Sequence, residues 1–409
     1  MTASAVRSAA GVSAQNLAYL DAHLQRYIDA GKLAGTLTLV YRAGEVAHFS
    51  AQGQMDRERA KPMREDTIFR IYSMTKPIAS VALMQLYERG LFQLDDPVDR
   101  YIPGWKNLAV YASGNYPAFI TTPCARPMSV RDLLSHQSGL TYGFMERTNV
   151  DAAYRKLGIG REGCRDLQEM VEKLSDLPLE FSPGTAWNYS VSTDVVGYLV
   201  EQIAGERFDR YLQQQIFAPL GMTDTGFHVR SEQIDRFAAN YMPNPTGDGL
   251  IVADDPQSSP YVQEPTFFSG GGGLVSTAGD YLRFCRMLLG GGRCDGARLL
   301  GRKTLELMTL NHLPGGRPLI DCTLLRREEA ALAGLGFGLG FSVALGSATG
   351  QISGSAGEFA WSGAASTEFW VDPAEDLAVI FMTQFMPVPV SNRLNLAREL
   401  HAIVYGALE

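Results

Sequence analysis

Hydrophobic and polar positions along the chain mark out a small set of elements. From Ser13 to Ala30, apolar residues recur at Leu17, Leu20, Leu24, Tyr27 and Ile28, the spacing of an amphipathic helix, with Ser13 as its cap. Two strands are predicted next, Thr36–Tyr41 and Glu45–Ala51, joined as a hairpin across Ala43-Gly44. Met74 to Glu88 is apolar on nearly every side; only Thr75, Lys76, Ser80, Gln85 and Glu88 interrupt it. Such a helix belongs in a core, and Gly90 supplies its C-cap.

From there to about residue 224 the chain reads as mainly helical and loop-rich. Prolines at 97, 103, 117, 123, 127 and 183 punctuate it, and Val130–Leu134 and Ser192–Ala204 are helix candidates. Beyond residue 225 the texture changes. A run Gly270-Gly271-Gly272-Gly273 precedes a predicted helix, Asp280–Leu289. The segments Gly334–Ala344, Glu368–Val371 and Leu377–Thr383 read as strands, and Asn392–Tyr405 as a final helix. Glycines at 334, 336, 338 and 340 give one strand a face bare of side chains, open to close approach by substrate or another backbone. The order predicts an α/β domain built from both termini, residues 1–72 and 225–409. A mainly helical domain, residues 73–224, is inserted in it, with an active site at the interface.

Composition narrows the chemistry. The formal charge of −8 argues against a phosphate-binding surface, so no nucleic-acid partner is expected. No apolar run approaches the ~18 residues of a membrane span, and Met1–Gln15 lacks the apolar core of a secretory signal. Five cysteines (124, 164, 285, 294, 322) follow no zinc spacing, and six histidines show no H-E-x-x-H, so neither metal nor cofactor is expected. Unpaired thiols and the missing signal predict a cytoplasmic protein.

Two common catalytic signatures are missing. None of the 26 serines has glycine at both −2 and +2, which excludes a nucleophile elbow. Gly296 and Gly301 have P-loop spacing, but Arg302 stands where the lysine is needed. What remains is Ser73-Met74-Thr75-Lys76, the only S-x-x-K in the chain. With 7 lysines and 26 serines in 409 residues, chance alone supplies about 0.4 such spacings. Position matters more. Ser73 opens the apolar helix, at its positive end, and Lys76 lies one turn on, on the same face. A serine attacks only when a base takes its proton, and a lysine serves once burial favours its neutral form. A capping serine followed by a surface-reaching lysine is the alternative reading of this tetrad. Two further segments bear on it: Tyr189, between a Pro183-Gly184 turn and a helix, and Trp361-Ser362-Gly363-Ala364, at the start of a strand region.

Together these segments resemble the serine penicillin-recognising superfamily: class C β-lactamases, D,D-peptidases and, most closely, family VIII carboxylesterases. Leu133–Leu140, Pro219–Met222 and Gly270–Ser276 add to the resemblance, which runs the length of the chain. It implies an antiparallel sheet flanked by helices plus a mainly helical domain. By position it makes Ser73 the acylated nucleophile, Lys76 its base, and Tyr189 the proton shuttle. The backbone N–H groups of Ser73 and Ala364 would form an oxyanion hole. Where β-lactamases carry K-T-G, this chain has Trp361-Ser362-Gly363, and the asparagine of their Y-x-N is Val191. An apolar ring in place of a cation suits neutral small-molecule esters. The expectation is a carboxylesterase for short-chain acyl esters. Acyl transfer, D-aminopeptidase or β-lactamase activity, and a non-catalytic scaffold stand as alternatives. His136 lies in a loop motif and reads as structural.

Overall fold

The computed structural model of the chain describes residues 10–324, 332–346, 352–387 and 396–409. Helix α1 (Ala14–Asp29) begins as its sequence requires: the Ser13 side chain accepts from the Asn16 N–H, and Leu17, Leu20 and Leu24 are buried. Strands β1 (Gly35–Arg42) and β2 (Glu45–Asp56) form the predicted hairpin. Ala43 and Gly44 both take positive φ, 49° and 87°, as a two-residue turn of this hand demands.

The sheet is then completed by a short β3 (Lys61–Pro62) and by the far end of the chain. Strands β4 (Leu335–Phe337), β5 (Ser342–Ala344), β6 (Phe359–Ser362), β7 (Glu368–Asp372) and β8 (Leu377–Met382) follow. The spatial order is β4-β5-β6-β7-β8-β1-β2-β3, with every pairing antiparallel. Strand β1 thus pairs with β8, Leu39 opposite Ile380. All six residues of β8 are buried, and they alternate between two cores. Leu377, Val379 and Phe381 pack with α1 and the last helix, α5 (Leu396–Tyr405). Ala378, Ile380 and Met382 join the opposite, larger core. Helix α4 (Ala278–Leu289) packs on that side against β8. The result is a helix–sheet–helix sandwich, the antiparallel sheet flanked by helices expected from the resemblance.

Helix α2 (Thr75–Glu88) buries every residue from Thr75 to Leu86, and Gly90 follows with φ +72°. It packs against helix α3 (Ser192–Ala204), whose bounds match the sequence reading. Three expectations are corrected. Gly334–Ala344 is not one strand but two, because Gly338 and Gly340 lie against other parts of the chain. A Cβ on Gly338 would stand 2.2 Å from the Met308 carbonyl, and one on Gly340 2.2 Å from Ser80 Oγ. The bare face is therefore filled by the protein itself. The Trp361-Ser362-Gly363 segment ends strand β6 rather than starting one. A hairpin, Ala109–Asn115 with Ala118–Pro123, occupies part of the stretch read as helix and loop. The start of the expected final helix, 392–395, lies outside the described residues. All five cysteines are free thiols, and no helix among the described residues is long and apolar enough to cross a membrane.

Candidate active site

Ser73 sits in a tight turn, Tyr72–Met74, that runs directly into α2. The turn is held from both sides. Just before it, Phe69 and Arg70 pair with Ser276 and Val275, and Ile71 N–H donates to the Leu274 carbonyl. The chain leading to Ser73 therefore runs beside the Gly270–Gly273 loop. Arg70 is fully buried and fully engaged: it bonds Asp254, Ser259, Gln384 and the Ala238 carbonyl, and stacks 3.9 Å from the Phe237 ring centre. Tyr72 carries a φ of +42°, an uncommon conformation for a non-glycine residue and one that marks a constrained turn.

Three of the predicted side chains converge. Lys76 Nζ donates to Ser73 Oγ at 3.1 Å, and the Tyr189 hydroxyl donates to the same Oγ at 2.6 Å. Lys76 is buried, and Nζ also donates to the Gly271 carbonyl at 2.6 Å. Its Nζ lies 4.5 Å from the ring centre of Tyr189 and 5.4 Å from that of Tyr142. Tyr189 reaches the site from the loop that leads into α3, across 116 residues of chain.

The strand end at Gly363 stands next to this turn. A Cβ there would lie 2.5 Å from the Ile71 carbonyl, so only glycine lets β6 come so close. Gly363 N–H donates to Thr367 O at 2.7 Å, closing the turn that carries Ala364. Among the described residues, neither the Ser73 nor the Ala364 backbone N–H has an acceptor. Unpaired backbone donors are uncommon in folded chains. Ser362 pairs with Glu368 across the strands. Trp361 contributes an aromatic wall, with ring centres 5.5 Å from Tyr189 and 5.3 Å from Phe337. Val191 is buried and offers no polar group to the site.

His136 lies behind the site, not in it. Its Nδ1 meets Ser190 Oγ at 3.2 Å, and its ring packs among Trp187, Tyr189 and Phe337. Burial, with the Lys76 charge adding to it, pushes its pKa well below the usual value, so the ring is neutral. Residues that sequence reasoning missed are Asp194 and Tyr142. Asp194 is wholly buried beside the glycine loop, where it accepts from Ser269 and from the Gly271 N–H. Burial pushes its carboxyl upward against the pull of Ser269, Lys76 and the Gly271 amide. Tyr142 is pushed up by burial and by the neighbouring Asp194 and Tyr189. The four glycines were the only visible signal of this contact.

Comparison with known proteins agrees with the architecture. The beta-lactamase family profile matches residues 20–403. Protein Rv1367c of Mycobacterium tuberculosis (strain ATCC 25618 / H37Rv) is 34% identical over 380 residues, 91% of each chain. Esterase EstB of Burkholderia gladioli is 32% identical over 406 residues, 93% of each. Among solved structures, EstCE1, described as a hydrolase with promiscuous acyltransferase activity, superposes with a TM-score of 0.79. It is 28% identical, covering 96% of this chain and 99% of its own. Simvastatin synthase from Aspergillus terreus shares the fold at 24% identity and the same TM-score. The chain belongs to the beta-lactamase family.

Proposed function

We propose that the protein is a serine carboxylesterase that hydrolyses short-chain, neutral acyl esters through an acyl-enzyme on Ser73. The observation that carries this reading is the convergence on Ser73 Oγ of Lys76 Nζ at 3.1 Å and the Tyr189 hydroxyl at 2.6 Å. A hydroxyl with two proton-transfer partners in reach is set up for nucleophilic catalysis. Lys76, as the amine, takes the Ser73 proton while Oγ bonds to the ester carbonyl carbon. The carbonyl electron pair moves to oxygen, where the N–H groups of Ser73 and Ala364 receive it. Such donors typically contribute about 10²–10³ each in rate. Collapse restores the C=O and breaks the bond to the alcohol, and Tyr189 passes the proton to the departing oxygen. Water, deprotonated along the same route, then attacks the acyl carbon and releases the acid and free Ser73.

Substrate class follows from the walls. Trp361 places an apolar ring where β-lactamases keep a lysine, and Val191 stands where they keep an amide, so these two positions offer a substrate carboxylate neither a cation nor a hydrogen-bond donor. Relatives named as an esterase and a lovastatin esterase support the ester reading. A second reading, transfer of the same acyl group to an alcohol, is favoured by relatives named as acyltransferases. The two share the acylation step and differ in the second nucleophile. The test is a series of p-nitrophenyl esters of increasing acyl length beside a chromogenic cephalosporin, with wild type and Ser73→Ala. Short neutral esters should be turned over far better than the cephalosporin, and Ser73→Ala should be inert. Comparable kcat/KM for both substrate types would overturn the assignment, and an added alcohol that yields a new ester would favour transfer.

A further inference from the structure

The glycine loop is built for approach, not for conformational freedom. None of Gly270 to Gly273 has positive φ, so another residue could adopt their backbone conformations. Space forbids it instead. A Cβ on Gly270 would stand 2.4 Å from the Thr193 carbonyl, and one on Gly273 2.8 Å from the Ser269 carbonyl. One on Gly271 would stand 2.6 Å from Asp194 Oδ2 and 2.8 Å from the Tyr142 hydroxyl. The first turn of α3, which carries Thr193 and Asp194, is thus in direct contact with the loop.

Asp194 grips that loop at two points. Its Oδ1 accepts from Ser269 Oγ at 2.5 Å and from the Gly271 N–H at 3.0 Å. The other side of the same glycine, the Gly271 carbonyl, accepts from Lys76 Nζ at 2.6 Å. Further along, Gly272 O accepts from the Tyr261 hydroxyl, and Leu274 N–H donates to Thr75 Oγ1. Ser269, Gly271, Gly272 and Leu274 are all tied down, and among the described residues the only carboxyl in these ties is Asp194.

We propose that Asp194 is a positioning residue for proton transfer: through Ser269 and Gly271 it fixes the carbonyl that holds Lys76 Nζ against Ser73, and it faces that lysine with a buried negative charge. The inference rests on the Ser73–Lys76–Tyr189 reading above. The groups facing this charge are Tyr142 and Lys76, and Lys76 in turn faces Tyr189, Tyr142 and His136. A buried carboxylate in this position acts on the ionisations that the limbs of the pH–rate profile report, opposing loss of a proton beside it. Removing the charge therefore moves the acid limb of the pH–rate profile to lower pH.

Asp194→Asn keeps the shape and an acceptor but loses the charge. On p-nitrophenyl acetate its kcat should fall about 10- to 100-fold, no more than the low end of direct general acid–base contributions because Asp194 acts through another residue, with KM changed less than about threefold. Its acid limb should shift downward. Ser269→Ala loosens the loop while keeping the charge, and should lower kcat about five- to tenfold with no shift of the limb. Melting curves test whether each variant is folded. A folded Asp194→Asn with wild-type kcat and pH profile overturns the proposal. If Asp194→Asn does not fold, an unchanged kcat in Ser269→Ala overturns it equally. Full activity in Ser73→Ala is a different result: it removes the site reading itself, and the positioning role with it.

Discussion

Gly363→Ala tests whether the end of β6 serves the reacting carbonyl. The glycine is not in the left-handed region, so alanine carries no backbone penalty there. The added Cβ would stand 2.5 Å from the Ile71 carbonyl and 2.2 Å from Thr367 Oγ1. The threonine is a side chain and can rotate; the Ile71 carbonyl is backbone and cannot. An ordinary C···O approach is about 3.4 Å, so the two segments must separate by ~0.9 Å. That displacement moves the Ala364 N–H away from Ser73, and displacements near 1 Å cost about 10² in rate. At about 1.36 kcal/mol per decade the loss is about 2.7 kcal/mol of transition-state stabilisation. The assay is kcat on p-nitrophenyl acetate, with the rate of fluorophosphonate labelling of Ser73 as a second reading. Ala364→Gly is the control: it keeps the backbone N–H and should stay within about threefold of wild type. Adding Thr367→Ala to Gly363→Ala should not restore activity, because the clash with Ile71 persists. A folded Gly363→Ala protein with wild-type kcat would refute the placement of this turn beside the reacting carbonyl.

Four further outcomes are expected. Tyr189→Phe deletes the 2.6 Å bond to Ser73 and should lower kcat about 10²- to 10⁴-fold, measured at substrate saturation. Lys76→Arg keeps a cation but removes the ability to accept a proton, so fluorophosphonate labelling of Ser73, read by mass spectrometry, should be lost; robust labelling would shift the base role to Tyr189. Trp361→Lys should raise the ratio of anionic to neutral substrate kcat/KM by about two- to fivefold, and an unchanged ratio would show that this position does not select substrate. Burial lowers the His401 pKa, but the hydrogen bond and charge of Glu358, with Glu368 and the Ala397 carbonyl, outweigh it and hold the value above the ordinary 6.5. A raised histidine stabilises the fold below its unfolded pKa and loses that contribution as pH rises through its folded value. The melting-temperature difference between wild type and His401→Gln should therefore be largest below the unfolded histidine value of about 6.5 and shrink as the pH rises through the higher folded-state value; a constant difference would count against the ion pair.

How much of this was legible in the sequence depended on whether a residue's partners lie near it in the chain. Ser73 and Lys76 were legible because one helical turn joins them and the helix is apolar all round, which can only mean burial. Helices α1 and α3 declared themselves by periodicity, and β8 by a continuous apolar run that fits its two buried faces. Tyr189 carried no such signal; its likeness to a family motif singled it out, and the fold brings it to Ser73 across 116 residues. The hairpin 109–123 was missed because neither of its strands is buried on one face, so no alternation is written into it. Strand β6 was missed for its brevity, four residues, of which only Phe359 is fully buried.

Asp194 is the instructive omission. It lies five residues past Tyr189 in the first turn of a helix, where an acid is ordinarily explained by the helix dipole. Its partners are 75 and 77 residues away, beyond any local pattern. The sequence did register the other half of the contact, as four consecutive glycines. Glycine, however, has two separate uses: left-handed backbone and close approach. Only coordinates distinguish them, and here every glycine of the run has ordinary φ and three of the four would overlap a neighbour through a Cβ. The same distinction applies at Gly363 and Gly338, where a carbonyl of another segment fills the space of the missing side chain. A glycine beside catalytic residues is therefore best read as a contact whose partner is still to be found. At Gly271 that partner is the buried carboxyl of Asp194.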